Sequence, residues 1–149
     1  MINSIIIKRI STNDPWYQSE RELRNQILLR PIGLPDYGWE MHDAKSWHFV
    51  ALERECLVGC VVLVPLDSIN HKAQLIQMAV AQSVQRKGIG TKLIQELLKF
   101  ATLQGLSEIT CHAREDAVPF YLKLKFEVYG EPFEEVGIRH RHMRKSVAI

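Results

Sequence analysis

A chain of 149 residues with 46% hydrophobic and 24% charged residues has the composition of one globular domain, residues 1–149, and not of a disordered protein. Its formal net charge of +2 is too small for the concentrated basic face of a nucleic-acid binder, and no apolar run approaches the ~20 residues that span a bilayer. The opening "MINSIIIKRI" lacks the layout of a signal peptide, and Cys56, Cys60 and Cys111 have no framework spacing, so reduced, mostly buried thiols and a cytoplasmic setting are expected.

In chain order, "SIIIKRI" reads as a strand that ends at the turn signal Asn13, Asp14, Pro15. Residues 16–29 carry Leu23, Ile27 and Leu28 at helical spacing amid charges, which predicts a helix. "RPIGLPDYG" then breaks regular structure, and the segment with Trp39, Met41, His42 and Trp47 is left as a loop with one helical turn. "HFVALERECLVGCVVLVPL" has the pattern of a two-stranded hairpin, and "HKAQLIQMAVA" of a further strand.

Residues 88–104 predict a helix with Leu93, Ile94, Leu97, Leu98 and Ala101 on its apolar face and Gly105 at C′. "SEITCHA" is a strand, "DAVPFYLKLK" a short helix with Pro119 in its first turns, and "FEVYGE" and "IRHRHMRKSV" are closing strands. A hairpin run followed by strand–helix alternation implies an α/β fold, a mixed sheet with helices on its faces.

The stretch "MAVAQSVQRKGIGTKLIQELLKFA" carries the functional signal. A strand that enters a glycine turn and opens a helix presents unpaired N–H groups at one point. Gly88 and Gly90 flank Ile89 and remove side-chain bulk there, while Gln85, Arg86, Lys87 and the Thr91 hydroxyl add donors. The predicted ligand is a phosphate or pyrophosphate. The spacing is not that of a Walker A loop, and the third glycine of a dinucleotide fingerprint is absent. A structural turn with no ligand, or a nucleotide site, remains the alternative on these residues alone.

The same stretch resembles the acyl-CoA-binding motif of the GCN5-related N-acetyltransferases (GNAT), whose core is Arg/Gln-x-x-Gly-x-Gly/Ala; Gln85, Gly88 and Gly90 match it. "MAV" looks like the strand that splays from its neighbour in that family. The resemblance implies a mixed, mostly antiparallel sheet flanked by helices. It also implies that backbone groups of Met78, Ala79 and Val80 bond the acyl carbonyl and the pantetheine arm of acetyl-CoA. "FYLKLKFEVYGEPFEEVGIRHRHM" is similar to the family's second motif, and Glu134, Glu135, Gly137, Ile138, His140 and Met143 resemble the ending of the ElaA-type subgroup. Arg114 stands where many members have an asparagine on the cofactor, and Lys125 where a glycine usually precedes Phe126.

Acyl transfer to an amine needs a neutral amine, a stabilised carbonyl oxygen and a proton for the leaving thiolate. Tyr121 matches the family tyrosine and is the expected acid. Gln77 stands where several members carry a glutamate base, and an amide cannot take that role. His140 is the favoured substitute, with Glu135, His48, His112 or a water chain still open. A metal is not expected, although His140 and His142 share a strand face. Trp16, Tyr37, Trp39, Trp47 and His42 either line an acceptor pocket or anchor the front helix. The expected activity is acetyl transfer from acetyl-CoA to a primary amine, on a small molecule or peptide, by direct attack in a ternary complex. The alternative is an acyl-CoA-binding or regulatory module without turnover. No membrane or nucleic-acid partner is expected, and homodimerisation through edge strands stays open.

Overall fold

The computed structural model describes residues 4–147; residues 1–3 and 148–149, part of the expected 1–149 domain, lie outside the described residues. Strand β1 (Ile5–Ile10) leads to α1 (Tyr17–Arg24), and the hairpin β2 (Trp47–Glu53) and β3 (Cys56–Asp67) is followed by β4 (Lys72–Val80). Then come α2 (Ile89–Leu103), β5 (Glu108–Arg114), α3 (Val118–Lys123), β6 (Glu127–Glu135) and β7 (Ile138–Ser146). The strands form one sheet in the order β1-β2-β3-β4-β5-β7-β6. Every pairing is antiparallel except β4 with β5.

That parallel pair positions the site. β4 and β5 are in register over Lys72–Glu108 to Leu75–Cys111 and no further. Beyond Leu75, β4 stays on β3, while His112, Ala113 and Arg114 stay on β7. The sheet therefore opens into a wedge, and the edge of β4 from Ile76 to Val80 turns half of its backbone groups towards the gap. A bulge supplies the bend. Cys60 faces Ala79 and Val62 faces Ile76, so Gln77 and Met78 together oppose Val61, and Gln77 has φ 56.

Helix α2 covers one face of the sheet. Its apolar stripe, Ile89, Leu93, Ile94, Leu97, Phe100 and Ala101, is buried as the 3.6-residue period requires. Gly59 on β3 makes the contact close, because a Cβ there would lie 3.1 Å from both Ile89 and Leu93. The helix ends as expected, with Gly105 at φ 77 and hydrogen bonds from Gly105 N–H to Thr102 and from Leu106 N–H to Ala101.

The opposite face is covered by α1 across β3 and β4, and here the expectation needs correction. The helix does not run unbroken to residue 29: it leaves α geometry after Arg24, continues as a π turn (Asn25–Leu29) and closes with a 3-10 turn (Arg30–Ile32). Its charges are not all solvated either. Glu20 and Arg24 are buried beside Leu23, with Arg24 only 1% exposed. Cys60 and Cys111 are core thiols, whereas Cys56 is exposed at the start of β3.

Candidate active site

At the carboxyl end of β4 the chain makes a 3-10 turn (Gln82–Val84) and then the glycine turn. Gly88 has φ 81 and caps α2, a backbone conformation in which L side chains are strained. Lys92 N–H makes a hydrogen bond to Gly88 C=O, so the N–H groups of Ile89, Gly90 and Thr91 precede the helical ladder. Arg86 and Lys87 are exposed around them. A Cβ on Gly88 would meet no atom within 4 Å, so the space over the turn is open. An open turn of free N–H groups with two cations beside it fits the diphosphate of coenzyme A. Gln85 Nε2 donates to Val80 C=O at 3.0 Å and ties the turn to the end of β4.

From this turn the β4–β5 wedge leads into a cleft of about 530 Å³. Gln77 and Met78 border it from β4, and His112, Ala113 and Arg114 from β5. Tyr121 comes from α3, and Glu135 and His140 from either side of the β6–β7 turn. Trp39, Met41 and His42 reach it from the long front loop. Three chain regions far apart in sequence thus meet where β4 and β5 separate.

Tyr121 is 6% exposed and packs edge-on against Phe120 and Phe126, with ring centroids 5.1 and 5.5 Å away. Burial, with a smaller contribution from Cys111, raises its phenol above the ordinary range, so the proton stays on at neutral pH. Burial also pushes the Cys111 thiol up to about 12, which leaves it no thiolate character there. His140 is 5% exposed, and its Nδ1 lies 2.7 Å from Ile138 C=O. A carbonyl only accepts, so Nδ1 carries the hydrogen and Nε2 is the nitrogen left to face the cleft. That Nε2 is 3.9 Å from Glu135, whose other oxygen is 3.0 Å from His112 Nδ1. Phe133 stacks on His140 and His142 at 5.7 and 4.2 Å, so the histidines of β7 sit in an aromatic stack.

The remaining candidates divide. Trp39 and His42 line the cleft, but Trp47 packs edge-on against Phe100 under α2, and Trp16 packs with the smaller core under α1. Tyr37 lies against the Arg21 guanidinium. His48, kept open as a base, is buried away from the cleft, because both ring nitrogens are taken: Nδ1 by Glu20 at 2.8 Å and Nε2 by Asp43 C=O at 2.8 Å. Gln77 lies in the β4 bulge with its Oε1 buried and unpaired.

His48 belongs to a buried charge network that sequence reasoning missed. Arg24 donates to Glu20 at 2.9 Å, to both oxygens of Asp43 at 2.9 and 3.2 Å, and to Trp39 C=O at 3.2 Å. Tyr17 Oη donates to Asp43, and burial followed by that carboxylate raises its phenol. Burial works against the charged form of His48, but the hydrogen bond and charge of Glu20, with the Asp43 carbonyl, outweigh it and raise the imidazole above 6.5. Glu20, Asp43 and His48 hold ligand atoms within 4.8 Å of one another, a spacing that would suit a metal; the cation beside both carboxylates is Arg24. One signal was available: Glu20, Leu23, Arg24 and Ile27 share a helix stripe, so the i,i+4 ion pair lies on the apolar side.

A mixed sheet that opens beside a glycine turn, with α2 on one face and α1 on the other, defines an α/β fold of acetyltransferase type. The chain belongs to the GNAT family, since that family's acetyltransferase domain matches residues 36–147. Mouse N-acetyltransferase family 8 member 7 is 31% identical over 139 residues, covering 89% of this chain and 59% of the mouse protein. The chain spans 54 to 61% of the length of the first curated relatives it matches. Among solved structures, Escherichia coli ElaA superposes with a TM-score of 0.84 at 16% identity, over 95% of this chain and 99% of that one. An aminoglycoside 6′-N-acetyltransferase complexed with coenzyme A gives 0.80 at 19%, over 95% and 97%. At these identities the structural likeness is one of fold. Among the described residues, no helix is long and apolar enough to cross a membrane.

Proposed function

We propose that the chain transfers an acetyl group from acetyl-CoA to a primary amine by direct attack of the amine in a ternary complex. The observation that carries this reading is the meeting of Tyr121 and His140, with His140 Nδ1 held by Ile138 C=O, in one cleft at the end of the wedge that follows the glycine turn. Acetyl-CoA supplies an activated acyl carbon and a thiolate leaving group.

The N–H groups of Ile89, Gly90 and Thr91, with Arg86 and Lys87, hold the diphosphate, while Gln85 fixes the turn. The open β4 edge at Met78, Ala79 and Val80 takes the pantetheine arm and steadies the acyl oxygen. His140 Nε2 accepts a proton from the incoming ammonium, and Ile138 C=O keeps that nitrogen in its accepting form. As the amine forms the new C–N bond and the C–S bond breaks, the Tyr121 hydroxyl gives its proton to the departing sulfur; the second proton of the nitrogen restores the tyrosine through solvent, and His140 releases the first to bulk water. The Glu134-to-Met143 pattern supplies both Glu135 and His140, which favours placing the chain in the ElaA-type subgroup.

A non-catalytic acyl-CoA module is the second reading, favoured by Gln77 at the position of the usual glutamate. Calorimetry and thiol release separate the readings. The transfer reading expects acetyl-CoA to bind, Gly88→Asp to weaken that binding by at least about tenfold, and Tyr121→Phe to lower kcat by about 100-fold with unchanged stability. Binding without thiol release for any amine supports the module, and no acetyl-CoA binding by the folded chain removes both.

A further inference from the structure

We infer that the acceptor is a monoamine with a flat apolar body, the class of an arylalkylamine, and that Trp39 and Met41 select it. The inference rests on the acetyl-transfer reading and assigns its substrate class.

The first argument is charge. Among the residues that line the cleft, Glu135 is the one carboxylate, and its Oε2 is already 3.0 Å from His112 Nδ1. A polyamine or amino sugar brings two or more ammonium groups, and each one desolvated without a partner works against binding. This cleft can match a single positive charge. The basic group, Arg114, lies at the end of β5 immediately before the turn (Glu115–Ala117) that opens α3.

The second argument is the apolar lining. Leu28, Trp39, Met41 and Val136 face the cleft. Met41 is 81% exposed, and Trp39 and Val136 also keep large parts of their apolar surface in water. Isolated exposed apolar side chains are ordinary, but a group of them at the rim of a concave site is the mark of a surface covered by a ligand. The rings of His112 and His140 also line the cleft, next to the Phe133–His142 stack. Rings and apolar side chains together suit a planar body better than a hydroxylated one.

The third argument is independent of the lining. Trp39 has φ 65, costly for a bulky residue, and its carbonyl takes a hydrogen bond from the buried Arg24 guanidinium. The buried network thus holds a tryptophan in a strained conformation at the mouth of the cleft. Core packing does not require this, because Trp39 is not part of either apolar core. Holding an aromatic surface towards an acceptor accounts for it.

Thiol release from acetyl-CoA with phenylethylamine, spermidine and kanamycin tests the class. Phenylethylamine is expected to exceed each of the others in kcat/KM by about tenfold or more. Trp39→Ala is expected to raise its KM about tenfold while leaving the KM for spermidine unchanged, a split that loss of stability would not produce. Met41→Glu, at an exposed position, is expected to narrow the preference over spermidine about fivefold. Equal or better use of spermidine or kanamycin overturns the assignment, and equal losses on every amine in Trp39→Ala overturn the role of Trp39. Should no amine turn over, calorimetry of phenylethylamine on CoA-saturated protein decides: binding weakened by Trp39→Ala supports the assignment, and no binding overturns it. Failure of acetyl-CoA itself to bind is a separate result and removes the transfer reading beneath it.

Discussion

The two sides of the cleft are held by different physics. On one side, β4, the glycine turn and α2 are placed by backbone hydrogen bonding, an apolar helix stripe and two special glycines. On the other, the segment from Tyr17 to His48 is placed by a buried guanidinium between two carboxylates, with a histidine and a tyrosine at its edges. The first arrangement depends on backbone and apolar packing and makes a glycine turn and a wedge. The second holds the loop that carries Trp39, Met41 and His42, and so shapes the front wall of the cleft. Burying charges costs more than burying leucines of similar volume, so such a network sets a geometry rather than adding stability.

The sharpest way to break the contrast is Arg24→Met. It leaves Glu20 and Asp43 buried without their cation and is expected to cost about 3–5 kcal/mol in urea unfolding. Replacing Glu20, Arg24 and Asp43 together with apolar residues should recover much of that loss while Trp39 loses its anchor. A triple variant as unstable as Arg24→Met would show that the network is a source of stability after all. On the other side, Gly59→Val drives methyl groups into Ile89 and Leu93 and is expected to cost about 1–3 kcal/mol; a neutral result would mean that α2 can move away from β3.

A gentler probe is pH. His48 is protonated in both folded and unfolded chains below about 6.5, where its contribution is complete. As pH rises from there through the raised folded value, the unfolded chain gives up its proton first and the contribution is lost. The melting temperature should therefore fall with rising pH above about 6.5, and His48→Gln should flatten that slope. A slope that survives in the variant would place its origin elsewhere. The smallest effect belongs to Lys125, at φ 71 in the turn between α3 and β6. Lys125→Gly should stabilise by up to about 1 kcal/mol in the same unfolding assay, and a loss would mean that the lysine side chain contributes more than its backbone costs.

The legible parts of this protein share one property. The helix from Ile89, its glycine cap and the β2–β3 hairpin depend on residues close in sequence, so period and turn chemistry reveal them. Tyr121 and His140 were found through motif resemblance, and the folded chain brings both to the cleft. The hydrogen bond from Gln85 to Val80 C=O is not legible in the sequence, because no motif records it. The buried ion pair of α1 was passed over because charged residues at helical spacing ordinarily mark a solvated face.

The sequence by itself determined an α/β sheet, a glycine turn after β4 and the residues that carry the family resemblance, because each is written in local spacing. Only the tertiary structure decided that His48 lies outside the cleft, that Arg24 lies in the interior and that Trp39 borders the cleft. Those outcomes depend on which charges meet across 19 to 28 positions of chain once the sheet has formed, and no local period records such a meeting.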